Sequence, residues 1–357
     1  MTLADGQVEE AGPVLVTGAG GPAGVSVVQA LRRGGERVLA VDCDPGAVGF
    51  HLADAWAVVP AADEPEFGDA LAAVAQTHEV AALVPTVAEE LAALVAAEPA
   101  LRDLGVATWL PPLGAVETCL DKWRFAEVLA GAGVPAPATA RRVGGGWQVA
   151  GQGEVNGPAE AVPGPWVVKP RAGRGSRDVL VARDEEQLRA ALALVPDPIV
   201  QQRAPGREFT ADLLVGPDGE LCGWAARWRL ETRGGISTRG ETFEDAAVVE
   251  VARAALGAVD HRGPANLQGF ADPATGQVLV TEINPRFSGG LPLSLAAGCD
   301  LVGEYLRAVR GQPIRPERLR ARPGVRMTRY FAEVFEGLAG PLASARGAAT
   351  RPVEAPS

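Results

Sequence analysis

The 357-residue sequence has few of the side chains that build common metal and nucleophile sites. Its four cysteines are far apart and form no CxxC pair, which argues against a disulfide framework or a cysteine zinc site. Its three histidines occur in no HxH or HExxH pattern, so we expect them to be ordinary structural or surface residues. These residues are Cys43, Cys119, Cys222, Cys299, His51, His78 and His261.

Long hydrophobic runs and an excess of positive charge are also missing. No uncharged apolar run approaches the roughly 18 residues that a membrane helix needs. The acidic first ten residues lack the apolar core of a secretory signal. Lys and Arg number 33 against 44 Asp and Glu, and the net charge of −11 argues against a general binder of nucleic acid or anionic membranes. We therefore expect a cytoplasmic protein with small-molecule partners, and neither nucleic acid nor membrane among them.

Lysine is scarcer still, because positive charge in this chain is carried almost entirely by arginine. The only two lysines are Lys122 and Lys169. Neither follows a glycine, so a GxxxxGK[ST] phosphate loop is excluded, and no GxSxG nucleophile elbow is present. A lysine kept in such a chain suggests a place that needs a compact ammonium rather than a planar guanidinium.

The order of predicted elements indicates two folding units. A strand at 14–17, a glycine turn at 18–24, a helix to residue 31 and a strand at 38–42 form one βαβ unit of a parallel sheet. Further strands are predicted at 55–59 and 81–84, and helices at 65–77 and 89–97. From about residue 115 the pattern changes to α+β: helices at 119–131, 185–195 and 246–256, and strands at 166–170, 179–181, 199–202, 209–215, 221–229 and 277–284. Residues 140–165, rich in Gly and Pro, are expected to be a loop or mobile connection.

The first glycine loop is open to two interpretations. Gly18-x-Gly20-x-x-Ala23 follows a strand, opens a helix and is followed by Asp42 at the end of the second strand, as in a dinucleotide-binding fingerprint. This pattern favours an NAD-dependent oxidoreductase. The same glycines would also serve a tight turn with close helix packing and no cofactor, and the chain has no YxxxK pair for hydride transfer.

The strongest chemical signal is the run Thr281-Glu282-Ile283-Asn284-Pro285-Arg286. Glu282 and Asn284 are two apart on a predicted strand and therefore share a face, where their oxygens suit Mg²⁺. Gln268, on the preceding candidate strand, could add an amide oxygen. Arg286 offers a fixed positive fork for a phosphoryl group or carboxylate.

A second signal surrounds Lys169, which ends a buried-looking strand before a loop rich in glycine and arginine. Backbone donors and basic side chains of this kind suit a polyphosphate, with Lys169 as a point charge on its oxygens. The loop lies one hairpin before Gln201 and Gln202, which favours a flap over ATP rather than a solvated basic loop.

These residues, in this order, resemble the ATP-grasp superfamily, specifically its carbamoyl-phosphate-synthase-like, carboxylate-amine ligase branch. The resemblance covers nearly the whole chain and implies an α/β Rossmann-like pre-ATP-grasp domain at 1–115, followed by an α+β ATP-grasp fold. The implied parts are a linking helix and small lid subdomain at 116–203, a central domain at 204–339, and a tail at 340–357 that we expect to be flexible.

The resemblance also implies roles for individual residues. Those for ATP are Lys122, Lys169, Arg171, Gly173, Ser176, Gln201, Gln202, Arg203, Ala204 and Glu208. Gln268, Glu282 and Asn284 match metal positions, with Mg²⁺ as the ion and Mn²⁺ as a substitute. Arg227, Arg229 and Arg286 are implied as catalytic, and Arg233, Ser237, Ser288, Gly289 and Gly290 as substrate contacts, the region from 227 to 237 being similar to a substrate loop.

The implied activity is an ADP-forming ligase that activates a small-molecule carboxylate as an acyl phosphate for attack by an amine, and a homodimer is expected. A thiol or bicarbonate acceptor is the alternative within the superfamily. An NAD-dependent oxidoreductase and a nucleotide sensor without catalysis are the alternatives of other classes.

Overall fold

The structure, a computed structural model, describes residues 11–173, 175 and 177–335. The predicted flexible tail at 340–357, the first ten residues and Ser176 lie outside them. The chain begins with a parallel sheet in the order β3-β2-β1-β4, as the βαβ pattern predicts. Its elements are β1 (Val14–Val16), α1 (Pro22–Arg33), β2 (Val38–Asp42), β3 (Ala55–Val58), α2 (Phe67–Thr77), β4 (Ala82–Val84) and α3 (Leu91–Asp103).

Two helices lead into a second, antiparallel sheet. They are α4 (Leu113–Leu120) and α5 (Lys122–Gly131). The sheet runs β7-β6-β5-β10-β8-β9, and α7 covers it through the buried Leu188 and Ala191. Its elements are β5 (Thr139–Val143), β6 (Gly146–Val149), β7 (Glu154–Val155), α6 (Pro158–Ala161), β8 (Trp166–Pro170), β9 (Leu180–Ala182), α7 (Glu185–Leu194) and β10 (Pro198–Gln202).

A third sheet, in the order β15-β14-β11-β12-β13-β16, completes the fold. Its elements are β11 (Arg207–Val215), β12 (Leu221–Arg233), β13 (Ile236–Phe243), α8 (Ala246–Ala258), β14 (Gly263–Asp272), β15 (Gln277–Asn284), α9 (Leu291–Ala296), α10 (Leu301–Val309) and β16 (Arg326–Thr328). The α/β start and the α+β continuation predicted from the sequence are confirmed.

The third sheet has one apolar and one polar face, because successive side chains of a strand point to opposite sides. Phe209, Ala211, Leu213 and Val215 of β11 lie in a core cluster with α8 and α5. The alternate residues Glu208, Thr210 and Asp212 lie on the other face. On β15 this alternation depends on a β-bulge: Gln268 pairs with Glu282 but Gly269 pairs with Val280, which leaves Thr281 unpaired between them.

Three local predictions were wrong. Residues 140–165 are not a loop but carry three short strands and a helical turn. Strands of only two to five residues are too short for their alternation of polar and apolar side chains to be recognised in the sequence. The helix predicted at 119–131 is broken at Asp121, whose carboxylate accepts hydrogen bonds from the backbone of Trp123 and Arg124 and caps α5. The segment 227–237 belongs to two paired strands with a tight Gly234-Gly235 turn.

The cysteines are unpaired, as expected. Among the described helices, none combines the length and the hydropathy needed to cross a membrane.

Candidate functional site

The main cavity of the described residues has a volume of about 780 Å³ and lies where the three sheets meet. It is walled by the first turn of α1, the loop after β8, the end of β10 and the polar face of the third sheet. The predicted site residues that line it are Lys122, Lys169, Gly173, Gln201, Gln202, Arg203, Ala204, Glu208, Arg227, Arg229, Ser237, Gln268, Glu282, Asn284, Arg286, Ser288, Gly289 and Gly290. Residues that are far apart in the sequence are thereby brought together.

One row of facing residues crosses four adjacent strands at the floor of this cavity. Arg227 pairs with Thr210, Thr210 with Gln268, and Gln268 with Glu282. Asn284, two residues beyond Glu282, donates from its side-chain nitrogen to Glu282 Oε1 at 3.2 Å. The side-chain oxygen of Asn284 accepts from Arg286 at 3.1 Å. Glu282, Asn284 and Arg286 thus form one connected polar edge.

Arg229 is held on the same floor by three neighbours. Its side chain is only 8% exposed and pairs with Glu208 at 3.0 Å. It donates to Gln268 Oε1 at 2.9 Å and to the carbonyl of Gly235 at 2.9 Å. Burial, and then the Glu282 charge, raise the pKa of Glu208 despite Arg229, which lowers it. Arg229 therefore fixes the positions of Glu208 and Gln268.

The two lysines lie at the opposite wall. Lys169 is buried and donates to Gln201 Oε1 at 2.9 Å, while the Gln201 amide donates to Thr139. Lys122 donates to the carbonyl of Gly173 at 2.8 Å. Burial lowers the pKa of Lys169 to about 8, with Glu282 opposing the shift and Lys122 adding to it. Burial also lowers the pKa of Lys122. The Glu282 carboxylate is therefore close enough to both lysines to affect their pKa values.

Arg171 lies outside the cavity lining, where it fixes the base of the loop after β8. Its guanidinium makes a bidentate pair with Asp121, the cap of α5, with Nε at 2.9 Å from both carboxylate oxygens. The Lys122 amide donates to the Arg171 carbonyl. Burial opposes the shift, but hydrogen bonds from Arg171 and the helix backbone lower the pKa of Asp121. Arg171 thus ties the loop to the helix that carries Lys122.

Two predicted contacts do not face the cavity: the Arg233 side chain and the backbone amides of Gln202 and Arg203. Arg233 does not line the cavity, because its side chain is 74% exposed and pairs with Glu231 of the same strand. The amides of Gln202 and Arg203 donate to Ala138 and Pro165, so neither is available to a ligand.

A buried network lies at the end of the floor nearest α1. Arg227 donates to Asp212 Oδ2 at 2.5 Å and to Ser288 Oγ at 3.0 Å, and both charged side chains are 3% exposed. Asp212 also accepts from Ser294 and Asn266. A Cβ on Gly290 would lie 2.3 Å from the Arg227 guanidinium, so this position needs glycine.

The first glycine loop is hydrogen-bonded to the Asp42 carboxylate. Asp42 accepts from the Gly20 amide at 2.7 Å and from the Asp44 amide at 3.0 Å. Gly24 lies against the loop so closely that a Cβ would be 2.2 Å from the Gly18 carbonyl oxygen. The glycines thus serve a tight turn, and the Asp42 carboxylate is occupied within the chain.

The oxygen donors at Glu282 and Asn284 fit Mg²⁺, which prefers hard oxygen ligands and keeps others for water and phosphate. Across the described ranges no cluster of three or more His, Cys, Asp or Glu side chains forms a separate metal site. Both neutral predicted ligands already accept a hydrogen bond through their side-chain oxygen, Gln268 from Arg229 and Asn284 from Arg286.

Two family models match the chain in sequence. Residues 195–331 match "ATP-grasp in the biosynthetic pathway with Ter operon". Residues 14–109 match the PylC-like N-terminal domain. The segment 195–331 is therefore similar in sequence to ATP-grasp proteins, and the fold of the described residues is the ATP-grasp fold.

Solved structures share this ATP-grasp fold. Biotin carboxylase from Campylobacter jejuni, in complex with β-γ-ATP, is 17% identical with a TM-score of 0.66 over 86% of this chain and 73% of its own. Carboxyaminoimidazole ribonucleotide synthase from Aspergillus clavatus, complexed with ATP, is 17% identical with a TM-score of 0.68 over 87% and 80%. L-amino acid ligase from Bacillus licheniformis is 17% identical with a TM-score of 0.64 over 87% and 77%. At this identity the likeness concerns the fold.

A curated relative, uncharacterized protein y4rH of Sinorhizobium fredii (strain NBRC 101917 / NGR234), is 28% identical over 227 residues. The match covers 57% of this chain and 44% of the relative, so the chain spans less than half of that protein.

Asp212 and Arg329, which lie beside residues that line the cavity, were not predicted from the sequence. Asp212 stands in an apolar-looking run, Thr210 to Val215, where a buried acid is itself a signal. Arg329 follows β16 and donates to the carbonyls of Ser237 and Gly289. No sequence signal could have found Arg329, because only the pairing of β13 with β16 brings it beside those two residues.

Proposed function

We propose that the protein is an ADP-forming ligase that transfers the γ-phosphoryl group of ATP to a substrate carboxylate and passes the acyl group to an amine. The observation that carries the proposal is the cavity itself, in which Lys122 and Lys169 face the Glu282-Asn284-Arg286 edge. Phosphoryl transfer needs positioning and charge neutralisation more than covalent help from the protein, so no protein nucleophile is required.

In this proposal the ATP phosphates lie between the two lysines and that edge. Lys169 and Lys122 neutralise phosphate oxygens, Gln201 holds Lys169 in place, and the loop through Gly173 covers the phosphates. The segment from Gln202, where β10 ends, to Ala204 borders the adenine, and Glu208 binds the ribose. Arg171 acts at a distance, through the position of Lys122.

Glu282, Asn284 and Gln268 would hold Mg²⁺. When bound, the ion offsets the negative charge of the triphosphate. Arg286 orients the transferring phosphoryl group or the attacking carboxylate. Only one of the three ligands carries a charge, so we expect the bound phosphates to supply much of the metal affinity.

The chemistry balances without a further reactant. A carboxylate oxygen attacks the γ-phosphorus of ATP and the bond to ADP breaks, giving an acyl phosphate and ADP. The lone pair of the amine then attacks the acyl carbon, inorganic phosphate leaves, and the nitrogen loses a proton to solvent. The loop after β8 would exclude water, since hydrolysis of the acyl phosphate is the wasteful competing reaction.

An NAD-dependent oxidoreductase is less favoured, because the Asp42 carboxylate that would bind ribose is hydrogen-bonded to the glycine loop. The boundaries at 1–115, 116–203 and 204–339 are proposed as domain limits, since each of the three sheets falls within one of them. The homodimer and the cytoplasmic location stay predictions.

The experiment that tests the proposal measures ADP release and hydroxamate formation with Mg²⁺, ATP, pooled carboxylates and hydroxylamine. Hydroxylamine intercepts an acyl phosphate without the natural amine, so hydroxamate is expected with at least one carboxylate. ATP binding without hydroxamate across a broad pool would favour a sensor. Failure to bind ATP would refute the ligase, and binding of a nicotinamide cofactor instead would favour the oxidoreductase.

Lys169 makes ATP affinity depend on pH. Its pKa of about 8 in the free protein means that it is charged below pH 8 and loses its charge as the pH rises through that value. We expect the Kd for ATP to rise up to about tenfold between pH 7 and pH 9. The measurement is a titration of the nucleotide at half-unit steps.

Lys169→Arg is the control for this pH dependence, because its guanidinium stays charged throughout the range. Its affinity should fall less steeply with pH than that of the unmutated protein, whatever its absolute value, because Lys122 is then the only lysine at the phosphates that can lose its charge. Equal slopes for both proteins would contradict the assignment to Lys169.

A further inference from the structure

Three side chains on adjacent strands of the second sheet form a buried, hydrogen-bonded row at the wall of the cavity. Thr139 of β5 faces Gln201 of β10 directly in the antiparallel pairing. Lys169 of β8 pairs with Ile199, two residues before Gln201, so Lys169 and Gln201 are diagonal neighbours on one face. All three side chains are buried. Lys169 and Gln201 line the cavity, whereas Thr139 lies outside its lining.

The hydrogen atoms of this row can be assigned from the partners of each group. The Thr139 hydroxyl has one hydrogen and donates it to the Pro137 carbonyl at 2.9 Å. Towards Gln201 the same hydroxyl can therefore only accept, and it accepts from Gln201 Nε2 at 2.9 Å. The carboxamide oxygen of Gln201 then points the other way, where it accepts from the Lys169 ammonium at 2.9 Å. One arrangement of hydrogen atoms thus satisfies all three contacts.

The reversed orientation of the Gln201 carboxamide is unfavourable at both of its ends. Its NH₂ group would face the Lys169 ammonium, and an ammonium has three donors and no acceptor. Its oxygen would face the Thr139 hydroxyl, whose hydrogen is already donated to Pro137. A carboxylate accepts through both oxygens, but a carboxamide can serve Lys169 in only one of its two orientations. Thr139 is the neighbour at the other end of the carboxamide, and its hydroxyl selects the useful orientation.

Lys169 depends on a correctly oriented acceptor because its ammonium is buried. Burial disfavours the charged form of this lysine, and the neighbouring Lys122 disfavours it further, while Glu282 favours it. The Gln201 oxygen accepts from the ammonium and so stabilises its charged form. The same hydrogen bond fixes the position of the ammonium at the end of a long, flexible side chain. Charge and position are the two properties that a phosphate-binding lysine needs.

We propose that Thr139 is a positioning residue of the nucleotide site. Its hydroxyl fixes the Gln201 carboxamide with the oxygen towards Lys169, and thereby holds the Lys169 ammonium where it meets the phosphates of ATP. The inference rests on the proposed ligase function, in which Lys169 binds phosphate, and extends it to a residue outside the cavity lining. Thr139 acts on the nucleotide only through Gln201 and Lys169. This dependence separates its role from general support of the sheet.

The test measures the Kd of a non-hydrolysable ATP analogue with Mg²⁺, on the full chain. Thr139→Val removes the hydroxyl, and we expect the Kd to rise about tenfold, as for the loss of one hydrogen bond to a charged group. Thr139→Ser keeps the hydroxyl and should bind as the unmutated protein does. Thr118→Val is the matched control and should leave the Kd unchanged, because Thr118 is also buried and its hydroxyl also donates to a backbone carbonyl, that of Gly114.

Two further backgrounds test whether the loss passes through the orientation of Gln201. Gln201→Glu supplies a carboxylate that accepts from Lys169 in either orientation, so adding Thr139→Val should cause no further loss. Lys169→Met removes the ammonium, and adding Thr139→Val should again cause no further loss. A residue that merely supports β5 would weaken binding by the same factor in all three backgrounds. Thr139→Ala lacks the same hydroxyl and must give the same pattern, and it replaces the valine variant if that variant does not fold.

Normal affinity in Thr139→Val, weak binding in Thr139→Ser, or an equal loss in all three backgrounds would each overturn the role of Thr139. These outcomes are distinguishable from failure of the ligase itself. Failure of the unmutated protein to bind the analogue would refute the proposed function. Normal binding by Lys169→Met would refute the phosphate role of Lys169 and, with it, that of Thr139. Weak binding by Lys169→Met beside normal binding by Thr139→Val would refute only the role of Thr139.

Discussion

Glu282→Gln is expected to lower ATP-dependent hydroxamate formation by roughly 10²–10³-fold, the size of effect seen when one charge-stabilising group is removed. Glu282 carries the only charge among the three predicted metal ligands. It also opposes the fall in pKa of both Lys122 and Lys169. The neutral amide can still accept from Asn284, so the local geometry should survive. The measurement is kcat for hydroxamate and ADP, with the Kd for ATP determined separately.

The loss should fall mainly on kcat and on the Mg²⁺ concentration at half-maximal rate. In the same variant the pKa of Lys169 should drop further, because a favourable negative neighbour has gone, and the pH dependence of ATP affinity should move to lower pH. Gln277→Ala, at the exposed start of the same strand, is the control and should behave like the unmutated protein. A Glu282→Gln protein with normal kcat at low Mg²⁺ would refute the metal assignment.

Much of this molecule could be predicted from its sequence because its strong signals are local. The βαβ start, the hairpin around Pro217-Asp218-Gly219 and the helix at Ala246–Ala258 each rest on a period or a turn within a short window. The scarcity of lysine was equally informative. Both Lys122 and Lys169 line the same cavity as Glu282 and Asn284, although they are far apart in sequence.

The rest depended on pairing between distant strands. Strict alternation along β15 would put Glu282 on the same face as Val278 and Val280, which are buried in the core. The bulge at Thr281 turns Glu282 and Asn284 towards the cavity and Ile283 towards that core. The hydrophobic pattern of the sequence does not predict this bulge. Arg171 and Arg233 were assigned to the site by resemblance to the family's motifs. In the structure Arg171 pairs with Asp121 and Arg233 with Glu231, and neither arginine lines the cavity.

Asp212→Ala should cost about 3–5 kcal/mol of the free energy of unfolding, because it leaves the Arg227 guanidinium buried without its counter-ion. Asp212 and Arg227 are each 3% exposed, so the change removes one partner of a buried ion pair. Ser294 and Asn266 lose their acceptor in the same change. Urea unfolding followed by tryptophan fluorescence measures the loss as a shift of the midpoint at constant m-value.

The double variant Asp212→Ala with Arg227→Leu separates an unpaired charge from a simple loss of contacts. Removing both charges eliminates the buried cation, so the double variant should be more stable than Asp212→Ala alone, although Ser288 and Ser294 then lose a partner. A double variant less stable than the single one would show that packing, rather than charge, makes Asp212 necessary.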